Sequence, residues 1–353
     1  MKTAANAVIA AFFPDRPAPG ITPLGHGLIN TTFRLDWPDS SWVLQRINTQ
    51  VFPQPEKIMH NLLCLQNHLQ KSPEPAALVF PTFRTTPQGA LLHYDTENQP
   101  WRVMSYIKNS ETRDSIRSTA EAANVGNALA QFHRQFANLP VNALHDTLPG
   151  FHITPQYLAH YEQVMQEHSP PSRTGDDLFC QQFIARHRSL ALMLEQARSQ
   201  AVLQPRITHG DPKLNNFLFR TNSNQVCALI DLDTVKPGLL LHDIADCVRS
   251  VCQTPDQHLD LVLLKALLGN YLQSIQDVLT PADMDYMYPA IALLPFELGL
   301  RFFTDYLQGN VYFSVDYPQQ NLQRSLYQFR LCQDILEKRE AIERLIAQLL
   351  AAK

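Results

Sequence analysis

The feature that most constrains this chain is a polar turn set beside a short β-type hairpin. It reads His209-Gly210-Asp211-Pro212-Lys213-Leu214-Asn215-Asn216, and Ile230-Asp231-Leu232-Asp233 follows. Counting from Asp211, a lysine stands at +2, an asparagine at +5 and an aspartate at +20. The runs 216–220 and 226–232 bracket the interval and are joined by Thr221-Asn222-Ser223-Asn224-Gln225, a hairpin signal. Four side chains able to carry charge or ligate an ion therefore stand in order around one hairpin.

That hairpin is an island in helical sequence. Helical periodicity runs over 119–137, 155–167, 177–199, 256–279, 289–307 and 320–352. Earlier, the texture is β-rich: 28–37 and 42–48, then 78–86, 90–94 and 101–107, with one helix over 55–70. The first thirteen residues read as a short amphipathic helix rather than a signal peptide, because Asn6 interrupts the apolar run and no cleavage site precedes Asp15 and Arg16. The expected organisation is α+β, with a small β-rich unit over 1–107 and a larger, mainly helical unit over 108–353. Residues 169–177 are the expected mobile loop.

At 353 residues the chain is long enough for two lobes and an enclosed cleft. Asp plus Glu number 33 against 29 Lys plus Arg, a net charge of −4, which argues against a nucleic-acid-coating protein. Hydrophobic content of 45% with 18% charged is that of a folded chain, and no run of eighteen apolar residues is present to span a membrane. The six cysteines (Cys64, Cys180, Cys227, Cys247, Cys252, Cys332) form no Cys-x-x-Cys pair, so free thiols in a cytoplasmic protein are expected.

Phosphoryl transfer from a nucleotide needs a carboxylate beside the attacking hydroxyl, a cation near the γ-phosphate and hard oxygen ligands for Mg2+. Asp211, Lys213, Asn216 and Asp231 meet these needs at the offsets of a protein-kinase catalytic loop. Asp211 takes the place of the base, Lys213 that of the cation, and Asn216 and Asp231 those of metal ligands, with Asp233 serving a second ion or the loop. A plain polar hairpin rich in Asx turns would hold the same residue types. Upstream, Leu24-Gly25-His26-Gly27-Leu28-Ile29-Asn30 lies between two strands, where Gly25 and Gly27 would let backbone amides approach phosphates; an ordinary hairpin turn would look the same alone. In Val43-Leu44-Gln45-Arg46, strand alternation puts Leu44 and Arg46 on one face, so Leu44 would roof an adenine and Arg46 would reach the phosphates where lysine is usual. Its acidic partner would be Glu56, which also reads as a surface residue, or the better-spaced but uncharged Asn61. Met104 would back the adenine pocket, and the backbone of Ser105, Tyr106 and Ile107 would meet the base edge. Ordinary core packing explains this apolar strand end equally well.

A glycine, not an arginine, follows His209, and this His-Gly-Asp resembles the aminoglycoside phosphotransferase and choline kinase superfamily. The resemblance implies a bilobal, protein-kinase-like fold that phosphorylates a small molecule using ATP and Mg2+. Longer segments resemble the N-acetylhexosamine 1-kinases and their bacterial relatives: 25–33, which contains Asn30 and Thr32, then 44–49, 209–216, 230–238 and 297–313. That implies transfer of the γ-phosphate to the anomeric hydroxyl of an N-acetylated hexosamine, with Asp211 orienting and deprotonating it. Arg301, Asp305, Tyr306 and Tyr312 form the candidate sugar-binding cluster of charges and aromatic walls. The competing reading is an Arg301–Asp305 salt bridge over a Phe302/Phe303 core. Asp243 and Asp246 cap a helix or brace the catalytic loop, Arg249 pairs along that helix, His133 sits in the core, and His209 hydrogen-bonds loop backbone. Kinases for another sugar, an aminoglycoside or an amino alcohol stand as alternatives, as does a nucleotide-binding pseudokinase, which Arg46 in the lysine slot motivates. The expected partner is a small-molecule sugar, with neither nucleic acid nor membrane.

Overall fold

The computed structural model describes residues 2–25, 29–73, 76–167 and 175–351. Helix α1 (Lys2–Phe12) opens the chain and buries Val8, Ile9 and Phe12. An antiparallel sheet follows, built from β1 (Gly20–Pro23), β2 (Thr31–Asp36) and β3 (Ser41–Arg46). After helix α2 (Pro55–Lys71), which starts on a proline that needs no amide partner, come β4 (Phe83–Arg84), β5 (His93–Tyr94) and β6 (Pro100–Ser105). The sheet order is β1-β2-β3-β6-β4, with β5 paired to β6. The register sets Gln45 opposite both Thr32 and Arg102, and Leu44 opposite both Phe33 and Val103. A period of two then sorts the side chains. Leu35, Leu44, Trp101 and Val103 share the outer face, where α1 covers them. Thr32, Gln45, Arg102 and Met104 share the face that looks into the cleft.

Beyond the edge strand β7 (Ser110–Glu111) the chain is mainly helical, with α3 (Thr119–Phe136), α4 (Thr154–Glu167), α5 (Gly175–His187) and α6 (Met193–Ser199). Four short strands follow: β8 (Arg206–Thr208), β9 (Phe217–Arg220), β10 (Val226–Leu229) and β11 (Lys236–Gly238). Helices α7 (Leu240–Val251), α8 (Leu261–Ile275), α9 (Pro281–Asp285), α10 (Met287–Leu307), α11 (Gln320–Glu337) and α12 (Arg339–Ala351) complete the body. Residues 168–174, the bulk of the expected mobile loop, lie outside the described residues, and Gly175 onward is helical. The helix expected over 177–199 is broken by a 3-10 turn at Arg188–Leu192, and the tail helix breaks at Lys338. Of the strand expected over 78–86, only Phe83 and Arg84 join the sheet, while Val79 makes an isolated parallel bridge to Ala228. Asp260 accepts the amides of Val262 and Leu263, which starts α8 at residue 261 rather than 256.

Two apolar clusters fill the molecule. The smaller joins α1 to the outer face of the sheet. The larger runs through α3, α7, α8, α10 and α11, and it also takes Phe52, Ile58, Met59, Leu62, Leu65 and Leu78. Helix α2 is thus fastened to the helical body. Its Asn61, 1% exposed, donates Nδ2 to the carbonyls of His145 and Val235 and accepts the His145 amide. The six cysteines are unpaired thiols, and among the described residues no helix is long and apolar enough to cross a membrane.

Candidate active site

Strands β8 and β11 pair antiparallel, and the His209–Asn216 loop leaves the end of β8. Gly210 takes φ +88°, and a Cβ there would stand 2.7 Å from the Thr234 carbonyl oxygen, so both the dihedral and the space demand glycine. Asp243, in the first turn of α7, accepts the amides of His209 at 2.6 Å and Gly210 at 2.9 Å, and His133 lies 2.8 Å from the same carboxylate. Asp243 is therefore a brace for the loop. Asp246 pairs with Arg249 at 2.7 Å along the same helix. His209 receives the Asp211 amide on Nδ1 and reaches the Ile230 carbonyl with Nε2 at 2.9 Å. An amide only donates and a carbonyl only accepts, which makes this ring the neutral Nε2–H tautomer. Burial, which pushes its pKa down, favours the same form.

Burial opposes the charge on Asp211, but the Lys213 ammonium on its Oδ2 overrides this and holds the carboxyl below the usual range. Lys213 faces Asp211 and Asp231 and is in turn held above its ordinary value despite its own burial. Asn216 directs Nδ2 at Asp211, 2.7 Å from its carbonyl, which leaves the single amide oxygen as its ligating group. Asp231 sits in the left-handed region at φ 64°, a strained conformation for a non-glycine residue. Its carboxylate is open on the cleft side but hemmed in by protein elsewhere. That desolvation, then the charge of Asp233, push it up to about 6. Among the described residues no group of three or more His, Cys, Asp or Glu could hold a metal ion. One carboxylate and one amide oxygen fit Mg2+, whose remaining ligands are characteristically phosphate oxygens and water. Asp233 is outside that set: at 1% exposure its two oxygens are taken by Arg102 and by Asn30 Nδ2. The Asn30 bond ties Asp233 to the residue just ahead of β2.

The nucleotide side differs from expectation at its cation. Leu44 is fully buried against α1, and Arg46 shares that outer face, contacting Thr31 Oγ1 and the Trp101 ring. Neither roofs an adenine nor reaches into the cleft, because α1 supplies an apolar cover that the strand alternation alone does not reveal. Gln45 occupies the cleft-facing position of β3, and a cation, Arg102, stands beside it on the neighbouring β6. Arg102, 3% exposed, bonds Gln45 Oε1 through Nε at 3.0 Å and pairs with Asp233. Glu56 is bonded to the Tyr94 hydroxyl instead of an arginine, and Asn61 is the tie described above. Gly25 has φ +72° with open space around it, whereas Gly27 lies outside the described residues. Asn30 accepts the Asn48 amide and Thr32 Oγ1 accepts Gln45 Nε2. Met104 is on the cleft face, Arg34 lies over the Tyr106 ring at 4.4 Å, and the Ile107 carbonyl accepts the Ser110 hydroxyl.

A cavity of about 410 Å³ opens beside α10. Arg301 projects into it among four rings, Tyr157 at 5.0 Å, Phe151 at 5.3 Å, Phe313 at 5.4 Å and Tyr312 at 5.9 Å. Its guanidinium has no hydrogen bond or ion pair with protein among the described residues. The alternative Arg301–Asp305 bridge does not form, since Asp305 accepts the amides of Tyr312 and Phe313 and the amide group of Asn321. Asp305 thus shapes the loop that carries the two rings. Tyr306 does not line the cavity, and its ring packs on Phe303 in the core. Phe151 and Tyr157 were not singled out from sequence, nor were His152 and Glu297 behind them. The lone acid of an otherwise apolar stretch, Glu297, was the readable signal.

A sheet-lined cleft over a helical body, with the Asp-Lys-Asn-Asp group on its floor, defines a phosphotransferase of kinase-like architecture. Residues 20–277 match the profile of the phosphotransferase enzyme family (APH), and the chain belongs to that family. It is a phosphotransferase of that family. Solved structures share the fold at low identity. An aminoglycoside phosphotransferase from Alicyclobacillus acidocaldarius has 17% identity and a TM-score of 0.65, over 93% of this chain and 94% of the other. A microcompartment-associated aminopropanol kinase has 15% identity and a TM-score of 0.67, over 97% and 99%. The GDP complex of aminoglycoside 2'-phosphotransferase-IIIa has 14% identity and a TM-score of 0.61, over 96% and 99%.

Proposed function

We propose that the protein is an ATP- and Mg2+-dependent sugar kinase that phosphorylates the anomeric hydroxyl of an N-acetylated hexosamine. Residues 1–107 would supply the nucleotide lobe and 108–353 the catalytic and acceptor lobe. The observation that carries the substrate class is the unpaired Arg301 in an aromatic cavity. Aminoglycosides and amino alcohols are cations, which a half-buried guanidinium with no hydrogen-bonded carboxylate among the described residues repels. A sugar offers hydroxyl and acetamide oxygens to its donors and apolar ring faces to Tyr312 and Phe151. The GDP held by one fold relative supports a nucleotide in the cleft.

In this reading Asp211, ionised at neutral pH, accepts the proton of the attacking hydroxyl, and Lys213 keeps it charged and oriented. Asn216 and Asp231 would hold Mg2+, which when bound offsets phosphate charge. Arg102 acts through Asp233 and Asn30 to fix the glycine-rich loop over the phosphates. The test is ADP release with Mg-ATP against N-acetylglucosamine, N-acetylgalactosamine, glucose, ethanolamine and kanamycin. Turnover of the acetamido sugars with phosphate on the anomeric oxygen is expected. Asp211→Asn should cut kcat by about 10²–10⁴-fold while Mg-ATP binding persists. Turnover of ethanolamine or kanamycin alone would overturn the substrate class, and an undiminished kcat in the variant would overturn the role of Asp211.

A further inference from the structure

Gly210, directly ahead of Asp211, is held through both of its flanking peptide groups. Its N–H goes to Asp243, and its carbonyl oxygen lies 2.8 Å from His152 Nε2. His152 is 8% exposed and adopts φ +64°. Its Nδ1 is 2.8 Å from Glu297 Oε1, and the other Glu297 oxygen accepts the Thr154 hydroxyl at 2.6 Å. Glu297 lies on α10 one turn before Arg301, and Phe151, next to His152, is one of the rings around that arginine.

Hydrogen-bond accounting bears on the charge of this ring. The Gly210 carbonyl can only accept, so Nε2 carries a proton; Nδ1 faces the Glu297 carboxylate, and where that group is ionised Nδ1 donates as well and His152 is an imidazolium. Burial opposes the Glu297 charge, but His152 overrides it and holds that carboxyl down at about 2. The titratable groups acting on His152 are Glu297 from α10 and His242 and Asp246 from α7; one step further out, Arg301 acts on Glu297, Asp243 holds the Gly210 amide, and Asp211 follows Gly210 in the loop. His242 stacks on it at 4.9 Å and 18°; burial, then the His152 charge, drive His242 down to about 3, so it offers a neutral face.

We propose that His152 is a positioning residue for Asp211: a buried imidazolium that holds the Gly210 carbonyl and ties the wall of the acceptor cavity to the catalytic loop. The inference rests on the phosphotransferase reading of Asp211. It requires the ring to stay protonated across the working pH range, with Glu297 supplying the opposite charge. Without that carboxylate, burial strips the proton and the brace loosens as pH rises.

The full-length protein is compared with Glu297→Gln and His152→Gln. At about pH 8 the histidine ring ¹⁵N spectrum of the wild type should contain one doubly protonated ring that is absent from His152→Gln. Backbone hydrogen exchange over 207–214 should quicken by about tenfold in both variants, with α8 unchanged. With Mg-ATP and N-acetylglucosamine, the ratio of Glu297→Gln to wild-type kcat should fall about tenfold between about pH 6 and pH 8.5, at nearly constant acceptor KM. Taking the ratio cancels the shared titration of Asp231. A singly protonated His152 at pH 8, or unchanged exchange in the loop, would overturn the proposal, as would a pH-independent ratio. Absence of wild-type turnover on any acceptor would instead count against the phosphotransferase reading, while the spectrum and the exchange still decide the brace.

Discussion

Replacing Arg102 with methionine keeps most of the side-chain length and removes the guanidinium. Asp233, 1% exposed, would keep the Asn30 amide group but lose its counter-charge, and Gln45 would lose the Arg102 donors on its oxygen. Both partners are nearly free of solvent, at 3% and 1% side-chain exposure, so the figure for breaking one side of a buried pair applies: about 3–5 kcal/mol. Arg102→Met/Asp233→Asn leaves no uncompensated charge and should recover at least half of that loss. The assay is urea unfolding of all four corners of the cycle, followed by tryptophan fluorescence and far-ultraviolet circular dichroism. A loss below about 1 kcal/mol for Arg102→Met would refute the claim that this pair is desolvated. So would a double variant no more stable than the single one. Since Asn30 hangs on Asp233, Asp233→Ala should also bind Mg-ATP more weakly.

Asp231 must be ionised to ligate a cation, and its carboxyl lies at about 6, so turnover at limiting Mg2+ should fall as pH drops through about 6. Raising Mg2+ should move that limb to lower pH; an immobile limb would dissociate it from Asp231. A carboxyl raised above its unfolded value is one whose charge the fold resists, so its stabilising contribution is lost as pH rises from about 4 to 6. Asp231→Asn should therefore raise the Tm of the nucleotide-free protein while abolishing turnover, and a lowered Tm would contradict the sign. Gly210→Ala, which pushes a Cβ to 2.7 Å from the Thr234 oxygen at φ +88°, should lose turnover with a lowered Tm. Arg301→Gln should cut kcat/KM for the acceptor by about 10–100-fold, the value of one charge-assisted hydrogen bond, with Mg-ATP binding unchanged. Comparable loss of Mg-ATP binding would remove Arg301 from the acceptor site.

The catalytic loop was legible because its chemistry is written in consecutive spacing. Asp211, Lys213, Asn216 and Asp231 flank one hairpin, β9–β10, so local geometry brings them near one another. The strand carrying Arg46 was legible as a strand, but which of its faces meets the cleft depends on α1, thirty residues earlier in sequence, and no local pattern encodes that contact. Arg102 escaped for the same reason: its meaning appears only through Asp233, 131 positions away. Asp305 was readable as polar, yet its role in accepting two amides of the following loop is a matter of chain path. The helix break at 188–192 went unseen because apolar residues continue through it, and the one at 338 because the charged run 337–340 contains strong helix formers and no glycine or proline.

The placement of α2 bears on how this chain could be recombined with others. Its apolar side is buried with the C-terminal helices, and Asn61 stitches it to residues 145 and 235. A cassette exchange made at residue 107 would therefore carry away part of the recipient body's own interior. The exchangeable module is discontinuous: α1 with β1 to β3, then β4 to β6, leaving 52–78 in place. Chimeras cut along that seam part only Ile47 among the buried residues of the larger interior, whereas a single cut at 107 removes all that α2 and its flanks contribute.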